Sequence, residues 1–121
     1  MSITTLQRVN TLLEGRLHQI LRQEQHNADR VNLYDVGEYW VAFERSAYQL
    51  EQMSRKADDT VMLHLAASPF PIAMHCMHHT RVNAMCRKHV MAHKSMEYLQ
   101  LLTRPIDDKS YARWYQDHID S

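Results

Sequence analysis

Residues 31–47, VNLYDVGEYWVAFERSA, contain the change of periodicity that decides the fold. The first six residues alternate apolar and polar side chains, which is the two-residue period of a strand. After Gly37 the apolar residues return at every third or fourth position, which is the period of a helix. The sequence therefore predicts a central strand at 31–36, a tight turn at Gly37 and a helix from Glu38 to about Arg55.

The segments on either side show the same two periods. Apolar residues on one face predict an N-terminal helix at 4–24, and a helical tail is predicted at 107–121 after Pro105. Strands are predicted at 60–65 and 70–77, the second with a helix capped by Ser68 as its alternative. A third helix is predicted at 79–93, and either a strand or a helical continuation at 98–102. The expected fold class is α+β: one domain, 1–121, with a small mixed β-sheet flanked by helices.

Length and composition restrict the class of protein. The chain has 121 residues, with 45% hydrophobic and 23% charged residues, which fits one packed domain rather than a disordered chain. Two cysteines cannot form a dense disulfide framework, and the first twenty residues lack the apolar core of a signal peptide. The longest stretch without Asp, Glu, Lys or Arg contains four histidines and two prolines. We therefore expect a cytoplasmic protein without a membrane span.

Two strings of residues carry a family resemblance. In the first, residues 32–47, an apolar strand leads through Gly37, an acid and two aromatic residues towards a helix with a phenylalanine and a small residue on its inner face. The second is Pro71-Ile72-Ala73-Met74-His75-Cys76-Met77-His78, a strand that leads into another helix. Together they resemble the N-terminal mismatch-recognition domain of the MutS family of DNA repair proteins. The resemblance covers residues 31–102 and implies the fold of that domain and an ancestry in DNA binding.

The chain departs from the family where the family reads mismatches. The resemblance places the family's base-stacking phenylalanine at Tyr39, which keeps an aromatic ring, and its mismatch-contacting glutamate at Val41, which cannot form a side-chain hydrogen bond. These 121 residues also cannot contain the family's clamp, lever and ATPase domains. The resemblance therefore implies a stand-alone domain without mismatch specificity.

The middle of the sequence is basic although the formal net charge is +0. No acidic residue occurs between Asp59 and Glu97, a stretch that contains six of the nine histidines. The predicted nucleic-acid-binding residues are Tyr39, as a base-stacking ring, and the cations Arg81, Arg87, Lys88 and Lys94. The alternatives are a solvated helix face balanced by acids of the preceding helix, and a half-buried phenol at Tyr39.

Histidine and cysteine positions raise the question of a metal. In a helix over 79–93, Cys86, His89 and His93 would share one face with Val82, a spacing at which a zinc or nickel ion could be held. No carboxylate completes the motif and no Cys-x-x-Cys occurs, so we predict that these side chains point into the sheet and bind no metal. No nucleophile elbow, phosphate-binding glycine loop or paired-carboxylate motif is present. We expect neither an enzyme nor a cofactor.

The function predicted from the sequence is a non-enzymatic binding module that binds nucleic acid weakly and without mismatch preference. The alternative is a protein-interaction domain that kept the fold and lost the ligand, as a homodimer through its N-terminal helix. A metal-dependent sensor or enzyme is the third possibility.

Overall fold

The computed structural model describes residues 3–54 and 60–120. The elements are α1 (Ile3–Gln25), β1 (Arg30–Asp35), β2 (Tyr39–Phe43), α2 (Glu44–Ser54), β3 (Thr60–Leu63), β4 (Ile72–His78), α3 (His79–Cys86), β5 (Met91–Lys94), β6 (Tyr98–Leu102) and α4 (Asp108–Asp120). They form one α+β domain, as predicted. The six strands lie in the order β3-β4-β2-β1-β6-β5, so β1 is central.

All pairings between the described strands are antiparallel, where the sequence predicts a mixed sheet. The difference arises from the connections. β1 joins β2, and β5 joins β6, through short hairpins, which give antiparallel neighbours. A parallel pair would need a longer crossover connection than either hairpin provides.

Helices cover the two faces of the sheet unequally. On one face α1 packs its apolar stripe against the sheet; the buried residues of this cluster are Val9, Leu13, Leu17, Ile20, Tyr34, Val36, Val41, Phe43, Ile72 and Met74. On the other face α2 and α3 cover a second cluster, formed by Val31, Leu33, Trp40, Ala42, Leu50, Met77, Val82, Leu99 and Leu101. α4 packs against α2 and β3 through Trp114. On the α1 face, three polar residues of β1 and β6, namely Asn32, Tyr98 and Gln100, lie near the helix.

Gly37 lies in a hairpin turn, so the prediction of a strand-to-helix turn there is wrong. The Val36 amide donates to the Tyr39 carbonyl at 3.0 Å, and residues 39–43 form β2. This strand is apolar throughout because both of its faces are covered, which removes the alternation by which a strand is recognised. The helix begins at Glu44, and the predicted end at Arg55 lies outside the described residues.

The predicted third helix, 79–93, is also too long. It ends at Cys86, because residues 91–94 are extended and pair with β6 as strand β5. The other predictions are confirmed with small shifts: the helix 4–24, the strands at 31–36, 60–65 and 70–77, and the C-terminal helix. The open alternative at 98–102 is resolved as strand β6.

The two glycines of the sequence are expected to respond oppositely to alanine. Gly37 has φ +107°, a conformation that side chains rarely adopt, so Gly37→Ala should lower the free energy of unfolding by about 1 to 3 kcal/mol. Gly15 lies inside α1 with no atom within 4 Å of an added Cβ, so Gly15→Ala should raise it by about 0.5 to 1 kcal/mol. Urea denaturation measures both, and a shift of the same sign in the two variants would contradict this account.

Candidate nucleic-acid interface

Tyr39 and Trp40 lie on opposite faces of the sheet. Tyr39 is half-buried on the α1 face, where its ring meets the ring of His78 edge-on at 5.5 Å. Trp40 is buried on the other face, where its ring stacks on His79 with the ring centroids 5.2 Å apart. Val41 is fully buried beneath α1.

The four predicted cations lie away from Tyr39. Arg81 is on α3, Arg87 and Lys88 follow the end of α3, and Lys94 is the last residue of β5. α3 packs on the face opposite to Tyr39, and Lys94 pairs with Leu99, whose side chain belongs to that same opposite face. The structure therefore does not bring the predicted ring and the predicted cations onto one surface.

Four acids were predicted to balance these cations: Glu38 precedes β2 and is not on a helix, Asp58 lies outside the described residues, and Glu44 and Glu51 are engaged elsewhere. Glu44 accepts hydrogen bonds from the Ala73 amide and the Tyr111 hydroxyl. Glu51 accepts hydrogen bonds from Trp114 Nε1 and the Thr60 hydroxyl. Neither carboxylate belongs to a solvated face that neutralises α3.

The predicted shared face of Cys86, His89 and His93 does not exist, because α3 ends at Cys86. His89 lies in the following turn with its Nδ1 at 3.0 Å from the Met85 carbonyl oxygen. His93 is on β5, exposed and next to the Tyr98 ring, so its predicted core position is wrong. Within residues 3–54 and 60–120, no three His, Cys, Asp or Glu side chains are grouped so that they could hold a metal ion.

The polar face of α1 borders a long groove on the sheet surface. The α1 residues that line it recur at every third or fourth position and form one stripe along the helix. The stripe consists of Arg8, Thr11, Leu12, Gly15, Arg16, Gln19, Arg22 and Gln23, and His26 continues it in the turn just after the helix. It contains three arginines and no carboxylate, because Glu14 and Glu24 project from other sides of α1.

This α1 groove has two open sections that lie end to end along the helix. The first, of about 880 Å³, is closed on its far side by Tyr34 and Asp35 of β1 and by residues 95–97 between β5 and β6. The second, of about 590 Å³, is bordered by residues 27–30, Asn32 and Gln100. Gly15 leaves open space in the first section.

A network of amides and a phenol forms the floor of the second section, which Gln23, Asn32 and Gln100 line. The Asn32 side-chain oxygen accepts hydrogen bonds from Gln100 Nε2 at 2.9 Å, from Gln23 Nε2 at 3.3 Å and from the Tyr98 hydroxyl. Burial raises the pKa of the Tyr98 phenol, which keeps this hydroxyl protonated as a donor. The floor is thus a preorganised polar surface that spans α1, β1 and β6.

Aromatic rings continue from this floor to the open edge of the sheet. The Tyr98 ring lies 5.4 Å from the Tyr34 ring on one side and 5.3 Å from the exposed His93 ring on the other. The Arg16 guanidinium lies 5.5 Å from the centroid of Tyr34, which holds this cation over the groove. The arginines of α1 therefore line one wall of the groove. The rings of Tyr34, Tyr98 and His93 form a row that leads from the groove to the β5 edge of the sheet.

Acids on the far wall are largely engaged by this chain. Asp29 lies 3.5 Å from the guanidinium of Arg30. Asp35 accepts a hydrogen bond from the Gly37 amide at 2.8 Å and lies 3.3 Å from His79 Nε2. Glu97 is the third acid there. The arginine wall of α1 is therefore the more strongly charged side of the groove.

Sequence reasoning missed this groove although part of its signal was present. The positions of Arg8, Arg16 and Arg22 fall on one side of a helical wheel, and the acids of α1 fall outside that arc. The apolar stripe alone predicts which face of α1 is buried. What borders the polar face could not be predicted, because it depends on the pairing of β6 with β1.

A separate cleft brings two carboxylates together that no sequence motif predicts. It has a volume of about 490 Å³, and Glu24 and Glu44 line it together with Phe70 and Tyr111. Burial raises the pKa of both carboxyl groups. Glu24 accepts four hydrogen bonds from Asn27, Asn32 and Ser46, and two of them come from the backbone and side chain of Ser46 at the start of α2. These bonds give Glu24 a structural role at the helix N-terminus.

None of the helices within residues 3–54 and 60–120 is both long and apolar enough to cross a bilayer.

Comparison of the chain with protein-family models, with curated proteins and with solved structures finds no match.

Proposed function

We propose that this chain is a non-enzymatic binding module that takes a single-stranded nucleic acid in the α1 groove. One observation carries the proposal: three arginines of α1 without an intervening acid line one wall of an open groove that also contains the Tyr34 ring and the Asn32 and Gln100 amides, and the rings of Tyr98 and His93 lie beside it. Proteins that bind single strands combine a positively charged groove for the backbone with rings on which bases stack. The α1 groove contains both parts.

Each part of the groove has a chemical role in this proposal. Arg8, Arg16 and Arg22 contact phosphates; fourteen residues of helix separate the first from the last, or about 21 Å, which suits a strand of a few nucleotides. The exposed His93 ring and the Tyr98 ring offer stacking surfaces. Gln19 and Gln23 present amides to base edges. A duplex would hide those base edges in its stack, so a single strand is the better fit.

The MutS-like ancestry is part of the same proposal and rests on the two sequence strings. A domain of that ancestry would have lost mismatch recognition, because Val41 is buried and Tyr39 is half-buried against the α1 cluster.

A cytoplasmic location is proposed as well, because the chain has few cysteines and because Cys76 and Cys86 lie on opposite faces of the sheet.

Fluorescence anisotropy with a labelled oligothymidine strand tests the proposal. We expect a dissociation constant on the order of micromolar or weaker, and a slope of log affinity against log salt of about −2 for three phosphate contacts. A blunt duplex of equal length is the control and should bind more weakly. No binding of the single strand at about 100 micromolar protein and low salt would refute the proposal.

That negative result would favour the interaction-domain alternative. The main apolar stripe of α1 is buried on this chain's own sheet, so a homodimer through α1 would have to use Ile3 and Leu6, which are exposed at its start. Light scattering across a concentration series distinguishes the two cases, because the nucleic-acid proposal requires no dimer.

A further inference from the structure

Among the strands of residues 3–54 and 60–120, β5 is an edge strand that pairs with β6 on one side and with no strand on the other. In the strand order β5 has β6 as its neighbour, and all four of its residues are exposed. Apolar side chains flank the edge: Val90 is 65% exposed, Met91 43% and Met96 89%. An exposed edge presents amides and carbonyls that can pair with an extended chain. We propose that β5 accepts an extended acidic segment of a partner protein as an added strand.

The opposite edge does not offer the same surface. β3 lies beneath α4, whose Trp114 packs in one cluster with Met62 of that strand. The Tyr115 hydroxyl of α4 also donates to the Pro71 carbonyl just before β4. α4 therefore packs on one face of β3, whereas all four residues of β5 are exposed.

Charge identifies the chemistry of the partner. Arg87 and Lys88 lead into β5, Lys94 ends it, and all three side chains are exposed. No acid occurs in the sequence from residue 60 to 96, so Arg87 and Lys88 have no acidic neighbour along the chain, and the acid nearest to Lys94 in sequence is Glu97 in the turn after β5. A segment that alternates acidic and apolar residues would place carboxylates near the cations and apolar side chains near Val90 and Met96.

Other occupants fit this edge less well. In a second copy of the chain, β5 would bring the same cations together, and that like-charge contact opposes pairing. A nucleic acid could contact Arg87, Lys88 and Lys94 but has no backbone groups in the pattern that a strand edge recognises. A β-bulge between Met91 and His93 interrupts the strand, and bulges at edges limit indiscriminate pairing. Because the bulge limits pairing through the backbone, the charge of the partner segment contributes more to its selection than the backbone hydrogen bonds do.

The test uses three end-capped peptides of about eight residues, long enough to overhang the edge. One alternates Glu and Val, one alternates Lys and Val, and one is the Glu–Val peptide with methylated backbone nitrogens. Amide chemical shifts of the full chain report where each peptide binds. We expect the Glu–Val peptide to shift residues 88–96, and the other two to leave them unchanged.

Charge variants complete the test. Lys88→Glu with Lys94→Glu should weaken binding of the Glu–Val peptide at least about tenfold, whereas Lys109→Glu on α4, at the other edge, should change it less than about twofold. Equal binding of the methylated peptide would overturn strand addition. Stronger shifts of these amides by oligothymidine would assign the edge to nucleic acid, and no shift at about 1 mM peptide would also overturn the proposal.

Discussion

Glu24→Ala is expected to lower the free energy of unfolding by about 3 to 5 kcal/mol, a larger loss than the one expected for Gly37→Ala. Glu24 is 1% exposed, and its oxygens accept hydrogen bonds from the Ser46 amide and hydroxyl, both at 2.7 Å, and from the Asn32 side chain at 2.9 Å. Asn27 donates a fourth bond at 3.2 Å. Alanine would remove the acceptor of the Ser46 amide and hydroxyl and of the Asn32 side chain, whereas Asn27 would keep the Arg30 carbonyl at 2.8 Å. Each buried group left without an acceptor costs about 1 to 3 kcal/mol before relaxation.

The position of Glu24 explains why its loss would affect the whole fold. It projects from the end of α1, binds β1 through Asn32 and satisfies an amide at the start of α2, so one side chain links three elements. The matched control is Glu14→Ala, which removes an exposed carboxylate from the same helix and should change stability by less than about 0.5 kcal/mol. Urea denaturation compares the two, and a loss of less than about 1 kcal/mol for Glu24→Ala would contradict the proposed structural role.

Periodicity predicted the elements whose two faces differ in chemistry, although both faces of β1 are buried. The α1 stripe and the alternation of residues 31–36 correspond to surfaces with water or polar groups on one side, so the pattern is visible in the sequence. β2 is covered on both faces, and its uninterrupted apolar run has no period to reveal a strand. The error at Gly37 followed from this, because Trp40 and Phe43 also fit a helical spacing.

The candidate site was harder to predict than the fold. A basic stripe at Arg8, Arg16 and Arg22 can be found on a helical wheel. The floor of the groove cannot, because Tyr98 reaches Asn32 across 66 residues of sequence and only the β1–β6 pairing brings them together. The predicted cations of residues 81–94 are real surface charges, yet the fold places them around α3 and β5, away from Tyr39. Charge runs in the sequence locate cations along the chain, whereas the sheet order decides which surface they share.

Two matched triple variants test where a single strand binds. Arg8→Glu, Arg16→Glu and Arg22→Glu reverse the wall of the α1 groove; Arg87→Glu, Lys88→Glu and Lys94→Glu make the same change in formal charge at the β5 edge. Because the change in overall charge is equal, any difference in affinity reports local contacts rather than the long-range field. Circular dichroism and urea denaturation establish that both variants fold.

The decisive measurement is the anisotropy titration of oligothymidine with these two variants and the unchanged chain, at one low salt concentration. The account predicts that the α1 groove variant loses affinity by about 100-fold, which corresponds to about 1 kcal/mol for each of three phosphate contacts, while the β5 edge variant stays within about fivefold of the unchanged chain. The opposite result, a large loss in the β5 edge variant with the groove variant little affected, would contradict the central claim and assign nucleic-acid binding to Arg87, Lys88 and Lys94.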